Sequence, residues 1–295
     1  MAFVDSHSPP PVSRRRFLKG SLFGTAGLAF YSCEVERHWI EISRHEVALR
    51  GLPDVFNGLR IAQLSDIHMD EYTEAAFLRW VIDQINHIEP DIVVLTGDYV
   101  THGFAWKKLA VGAAWQCASL LNELRCSQRF AVLGNHDVMV GAKQVMSALT
   151  ANGITVLHNT FLPIERNGGR IWLAGLDDPL MGIPDPEKAI PASIRHRQNE
   201  PILLLCHAPD YADHLLAHAP GQAVDLMLSG HTHGGQVCLP LLGSLGLPDL
   251  GKKYVEGWFR LGGMQLYVNR GVGAVGIPFR FNCPPEITLF TLRSS

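Results

Sequence analysis

Residues 37–295 have no C-x-x-C pair, no Pro/Ser-rich linker, no run of like charges and no internal repeat. The missing cysteine pair excludes a zinc knuckle, and the scatter of six cysteines gives no disulfide framework. The missing linker leaves residues 37–295 to be read as one domain. A basic surplus is absent too: the formal net charge is −3, which argues against a nucleic-acid binder that neutralises phosphates over a broad face. Charged residues are sparse at 18% against 47% hydrophobic ones, so a large core can be buried and whole-chain disorder is excluded.

The N-terminal segment stands apart. Ser13-Arg14-Arg15-Arg16-Phe17-Leu18-Lys19 has the form of a twin-arginine export signal, and an uncharged Gly/Ala-rich stretch follows over 20–33. That stretch is shorter than the ~20 residues a spanning helix needs. Residues 1–36 are therefore expected to be a signal segment. It implies the Tat export machinery as a partner and a location in the periplasm or on the outer face of the cytoplasmic membrane. Cys33 closes the stretch, but Phe30-Tyr31-Ser32 before it is a poor lipidation box; an uncleaved membrane tether is the alternative.

Beyond residue 37, short apolar runs recur, each ending in a polar cluster. Residues 59–64 lead to Ser65-Asp66-Ile67-His68, 92–95 to Thr96-Gly97-Asp98, and 130–133 to Gly134-Asn135-His136-Asp137. Residues 202–205 lead to Cys206-His207, and 225–228 to Ser229-Gly230-His231-Thr232-His233. Runs this short, bounded by turn residues, predict buried strands. Helical spacing predicts helices over 74–88, with Phe77, Trp80, Val81, Ile85 and Ile88 on its apolar side, and over 105–124 and 142–151. Residues 254–261 and 264–269 predict a hairpin around Gly262-Gly263, and 286–292 a last strand. This order predicts an α/β fold of two packed sheets flanked by helices.

Ligands gather beyond the carboxyl ends of strands in such folds. Asp66, His68, Asp98, Asn135, His207, His231 and His233 all fall there, offering carboxylate, amide and imidazole without thiolate. That mixture suits Zn, Fe, Mn or Co, and seven groups suit two ions sharing a carboxylate. Each cluster alone reads equally as a turn with a surface histidine; their coincidence at five strand ends carries the inference. The other histidines, among them His45, His87, His102, His158, His196, His214 and His218, are expected to be structural or at the surface.

These five clusters resemble the signature blocks of the calcineurin-like metallophosphoesterases, from about residue 40 onward. His207-Ala208-Pro209-Asp210, the block from Gly230 to Val237, and Asn269-Arg270-Gly271-Val272-Gly273 are similar to the exported or membrane-associated YkuE-like branch. The departure is Met69-Asp70, where relatives often carry Gly. The resemblance implies a four-layer α/β/β/α sandwich of two mixed β-sheets flanked by helices. It implies two divalent metal ions (Mn, Fe or Zn), one on Asp66, His68, Asp98 and His233, the other on Asp98, Asn135, His207 and His231. His136 would protonate the leaving group, with Asp137 orienting it. The implied activity is hydrolysis of a phosphodiester or pyrophosphate bond by metal-activated water. An envelope or lipid-linked phosphate ester such as UDP-2,3-diacylglucosamine is the implied substrate class. The apolar residues of loop 239–250 have two readings, a Pro/Gly-rich loop packed on the second sheet or a surface that leans on acyl chains or membrane. Two alternatives stand: a phosphomonoesterase or protein phosphatase of the same fold, and a non-catalytic metal-binding envelope interaction protein.

Overall fold

A computed structural model describes residues 13–69, 72–103, 107–195 and 198–295, with the side chains of 107 and 108 left aside. Asp70, His196, the first two residues of the expected helix 105–124 and the first twelve of the expected signal segment lie outside these residues.

The first element, α1 (Arg14–Phe30), is capped by Ser13, whose hydroxyl accepts from Arg16 N at 3.3 Å, and none of its residues is buried. Among the described residues no helix is long and apolar enough to cross a membrane. Contact with the body begins before residue 37: Ser32, Glu36 and Arg37 are buried. Cys283 N donates to Glu36 Oε1 at 2.7 Å, and the Arg37 guanidinium bonds Glu74 Oε1 at 3.0 Å.

The body alternates β1 (Glu41–Leu49), β2 (Arg60–Leu64), α2 (Ala75–Ile88), β3 (Ile92–Leu95), α3 (Lys107–Leu121), β4 (Arg129–Ala131), α4 (Asn135–Ala151) and β5 (Thr155–Val156). There follow β6 (Thr160–Arg166), β7 (Gly169–Gly175), α5 (Pro186–Ala189), β8 (Ile202–Leu205), α6 (Tyr211–Leu216), α7 (Ala219–Gln222) and β9 (Leu226–Ser229). The chain closes with β10 (Cys238–Leu239), β11 (Gly243–Ser244), β12 (Gly257–Leu261), β13 (Met264–Val268) and β14 (Glu286–Ser294). One six-stranded sheet has the order β1-β14-β2-β3-β4-β5, the other β12-β13-β9-β8-β7-β6. Both are mixed: β2, β3, β4 and β5 pair in parallel while β14 runs antiparallel to β2. In the second sheet β7, β8, β9 and β13 are parallel between antiparallel edges.

The continuous apolar runs are explained by burial on both faces. Within β2 and β3, Ala62, Leu64, Val93 and Leu95 point to a core shared with α2, α3 and α4. Their alternates Ile61, Ile92 and Val94 meet Leu203, Leu205, Leu226 and Leu228 of the other sheet. The remaining alternates, Ile202, Leu204 and Met227, pack on Ile190, Ala212 and Leu215. Three cores separate four layers, helices on sheet on sheet on helices, which is the expected sandwich.

Two helices differ from their sequence reading. The buried stripe of α2 is Leu78, Val81, Ile82 and Ile85, and Trp80, placed by its spacing on the apolar side, is 42% exposed. The apolar residues of this helix cover more than half its circumference, so spacing leaves the centre of the stripe open by about one residue. Helix α4 starts at Asn135, ahead of the predicted 142, and breaks at Gly141 (φ 144°), a conformation L side chains rarely adopt. The polar first turn carries no apolar period, so the sequence showed only its second half.

Leu205 is fully buried between the sheets. Leu205→Ala is expected to cost about 2–5 kcal/mol, read from denaturant unfolding, while activity per folded molecule falls far less than stability.

Candidate metal centre

Each candidate residue leaves the carboxyl end of a strand: Asp66 and His68 after β2, Asp98 after β3, and Asn135 and His136 just past β4. His207 follows β8, and His231 and His233 follow β9. The two sheets are joined beneath them by Gln63, whose amide donates to Thr96 Oγ1 at 3.0 Å and to Ser229 O at 2.9 Å. The loops run side by side: Asp66 N donates to Gly97 O at 2.9 Å and Ile67 N to Asp98 O at 2.8 Å.

All seven expected ligands are brought together and buried. One group is Asp66, His68 and His233; the other is Asp98, His207 and His231, and in each the nearest ligand atoms lie within 4.8 Å of one another. Asp98 lies between them, its Oδ2 3.2 Å from His207 Nε2 and 3.7 Å from His68 Nε2. Across the first group His68 Nε2 faces His233 Nε2 at 3.1 Å, with Asp66 Oδ1 3.5 Å from the latter.

The remaining ring nitrogens are already engaged. His207 Nδ1 donates to Thr96 O at 2.7 Å and His68 Nδ1 meets Thr101 Oγ1 at 2.9 Å. His231 Nε2 donates to Asp249 O at 2.8 Å, which leaves Nδ1 as its free lone pair. Outer partners of this kind orient metal-ligating histidines. Asn135 Oδ1 and His207 Nε2 are buried with no hydrogen-bond partner, although His207 Nε2 is close to Asp98; the contact lacks hydrogen-bonding geometry. A buried lone pair left alone costs about 1–3 kcal/mol, and a cation would satisfy both.

Charge points the same way. Burial pushes His231 down to about 4, with the His207 ring adding to it, and burial first holds His68 and His233 well below the usual imidazole value. Neutral imidazole is the ligating form. Burial would raise Asp98, yet His207, His136 and His68 outweigh it and hold the carboxylate low. His207 goes up against its own burial because Asp98, Asp66 and Asp178 surround it with negative charge. The basin calls for cations, and its residues fit two.

The backbone is strained where the ligands sit. Asp66, His68, Asp98, His231 and His233 all have positive φ, between 49° and 75°. Non-glycine residues held there cost ~1–3 kcal/mol each and persist only when surroundings enforce them. Gly134 shows how tightly: a Cβ there would stand 2.2 Å from Asp98 Oδ1.

Asp137 departs from its expected part. Its Oδ2 accepts Asp98 N at 2.7 Å and Gly134 N at 2.9 Å, and its Oδ1 accepts Tyr99 N at 2.9 Å. These partners are backbone N–H groups, so it clamps the Asp98 loop rather than orienting His136. The His136 ring is held instead by His102, whose backbone N–H donates to Nδ1 at 2.8 Å. The sequence reading also missed Thr96, Thr101, Asp249, Asp210 and Arg280. Asp210 accepts Lys252 N at 2.8 Å and Tyr254 N at 2.9 Å, fixing the loop that presents Asp249. Fully buried Arg280 lies behind His233, its Nη2 3.4 Å from Nδ1 and 2.6 Å from Gly273 O. Thr96, in the cluster that ends at Asp98, and Asp210, in the block after His207, had a motif to mark them.

Above the basin opens a cavity of roughly 500 Å³. Asp98, Asn135, His136, His231 and His233 form its floor, and Val237, Leu245, Leu247, Pro248, Val275 and Ile277 an apolar wall.

A buried carboxylate–imidazole–amide basin at the meeting of two sheets, under an open cavity, is the site of a metal-dependent hydrolase. The chain belongs to the calcineurin-like phosphoesterases, whose family model matches residues 59–235, and it acts on phosphoric ester bonds. It is 37% identical to the metallophosphoesterase YkuE of Bacillus subtilis over 96% of this chain and 99% of that protein, and falls in the YkuE-like branch. It is 33% identical to the phosphodiesterase YaeI of Escherichia coli, over 95% of this chain and 99% of that one. Identity is 29% to the UDP-2,3-diacylglucosamine pyrophosphatase LpxG of Chlamydia trachomatis, over 79% of this chain and 83% of that one.

Asp98→Asn is expected to remove most activity and to lower bound metal measured by elemental analysis, since both groups lose a shared oxygen anion. Asp137→Asn turns an amide donor towards backbone N–H groups and should cost about 1–3 kcal/mol in unfolding, with metal binding weakened in the surviving fold.

Proposed function

We propose that the chain is a two-metal phosphodiesterase or pyrophosphatase of the cell envelope, acting on a lipid-linked phosphate ester. The observation that carries this reading is the joint presence of the seven-ligand basin and an apolar wall on the same cavity. Asp66, His68, Asp98 and His233 would hold one cation and Asp98, Asn135, His207 and His231 the other. Bound there, Mn, Fe or Zn ions supply a nucleophile at neutral pH and offset the charge on the phosphoryl oxygens. His136 lines the cavity with Nδ1 occupied by the His102 N–H, so its Nε2 is the nitrogen that carries the proton. It offers that N–H to the departing oxygen. Asp137 keeps the Asp98 loop in place.

The substrate class draws on two supports. YaeI is named a phosphodiesterase, and LpxG a pyrophosphatase of a diacylated nucleotide sugar. The wall residues Leu245 and Leu247 continue into Leu241 and Leu242, which are fully or largely exposed, so acyl chains leaving the cavity would meet apolar side chains. On this reading the segment 1–36 is a twin-arginine signal that delivers the folded enzyme to the periplasm or the outer face of the cytoplasmic membrane. There it meets lipid-linked rather than free cytoplasmic substrates.

A panel of bis-p-nitrophenyl phosphate, p-nitrophenyl phosphate and UDP-2,3-diacylglucosamine, with added Mn or Zn and a chelated control, tests the chemistry. Diester and pyrophosphate should turn over faster than the monoester; preference for the monoester would contradict the reading. His136→Ala should slow alkyl esters more than p-nitrophenyl esters, whose leaving group barely needs a proton, and equal slowing would remove the donor role. Arg14→Lys with Arg15→Lys should trap the protein in the cytoplasm; unchanged export of that variant would rule out the signal.

A further inference from the structure

Two thiols stand behind His233. Cys238 opens β10, and Cys283 precedes β14. Their chain segments run together: Val237 and Phe281 form a parallel bridge, and Cys238 N donates to Phe281 O at 2.8 Å. Both sulfurs end on consecutive carbonyls of the ligand loop. Cys283 Sγ donates to His233 O at 3.0 Å and Cys238 Sγ to Gly234 O at 3.2 Å. The other cysteines sit on separate elements: Cys33 after α1, Cys117 in α3, Cys126 before β4 and Cys206 after β8.

We propose that Cys238 and Cys283 form a reversible disulfide that staples the apolar wall of the cavity to the loop holding His233. The ring it closes contains Leu245, Leu247, Asp249, Val275, Ile277 and Arg280, that is, most of the wall together with the partners of His231 and His233. The pair is asymmetric in the way exchange needs. Cys238 is partly exposed, so an external disulfide can reach it, while Cys283 is buried behind it.

The oxidant is an external disulfide, either small or on a dithiol oxidoreductase. Cys238 thiolate attacks one of its sulfurs, forming a mixed disulfide and expelling the first thiolate. Cys283 then loses its proton and attacks Cys238 Sγ, expelling the second. The protein gives up two protons and two electrons, and the oxidant disulfide becomes two thiols.

Full-length protein treated with oxidised glutathione, quenched with N-ethylmaleimide and digested gives the readout. A peptide cross-linked between Cys238 and Cys283 is expected, absent after dithiothreitol. The oxidised form should melt several degrees higher and lose metal to EDTA more slowly. Cys238→Ser and Cys283→Ser should each abolish all three changes. Alkylation of both thiols after oxidation, glutathione left on Cys238, or pairing of either thiol with another cysteine overturns the proposal. A cross-link that leaves melting and metal release unmoved overturns the staple.

Discussion

The Asp98 carboxylate is the group on which the site turns. It is almost wholly buried and lies between two clusters of imidazoles, its Oδ2 close to a ring of each. An anion in that position is tolerable only with positive charge on either side. The neighbouring structure serves to hold it there. Asp137 takes the backbone N–H groups of Asp98 and Tyr99, Gly134 leaves room where any side chain would strike it, and His136 N donates to its Oδ1 at 3.0 Å. Positive φ at five ligand-bearing residues shows that the loops are pulled out of relaxed conformations to bring donors inward.

That strain is sustained by the sandwich below. Strands buried on both faces cannot shift register without driving three cores out of alignment, because a one-residue slip swaps every side chain to the opposite face. Gln63 then ties the end of β2 to β9, so the half of the site carried by each sheet has a fixed partner. Function here depends on packing at a distance: the donors come from loops, and the precision comes from strand ends.

Much of this could be read in the residues. The strand-end positions of Asp66, Asp98, His207 and His231 followed from short apolar runs stopped by turn residues, and these are features a sequence displays directly. The part that the resemblance implied for Asp137 is not what its contacts show, because neighbours along a chain point apart at the start of a helix, and Asp137 turns back to the preceding loop. Asp249 and Arg280 were invisible for another reason. Asp249 acts through its backbone carbonyl, which every residue has, and Arg280 acts through contacts with carbonyls of residues 270–283 that no spacing rule marks. The Cys238–Cys283 pair likewise depends on β10 meeting the final loop, not on distance along the chain.

The chemistry joins a hard, charged floor to a soft wall. In the proposed reading a phosphoryl group sits at the first and an apolar substituent at the second, and floor and wall lie on one cavity. Anomalous scattering from crystals of the enzyme grown with Mn or Zn tests the central claim most directly. Two peaks are expected, one among Asp66, His68, Asp98 and His233 and the other among Asp98, Asn135, His207 and His231. A single peak, or ions bound away from Asp98 in active enzyme, would contradict it.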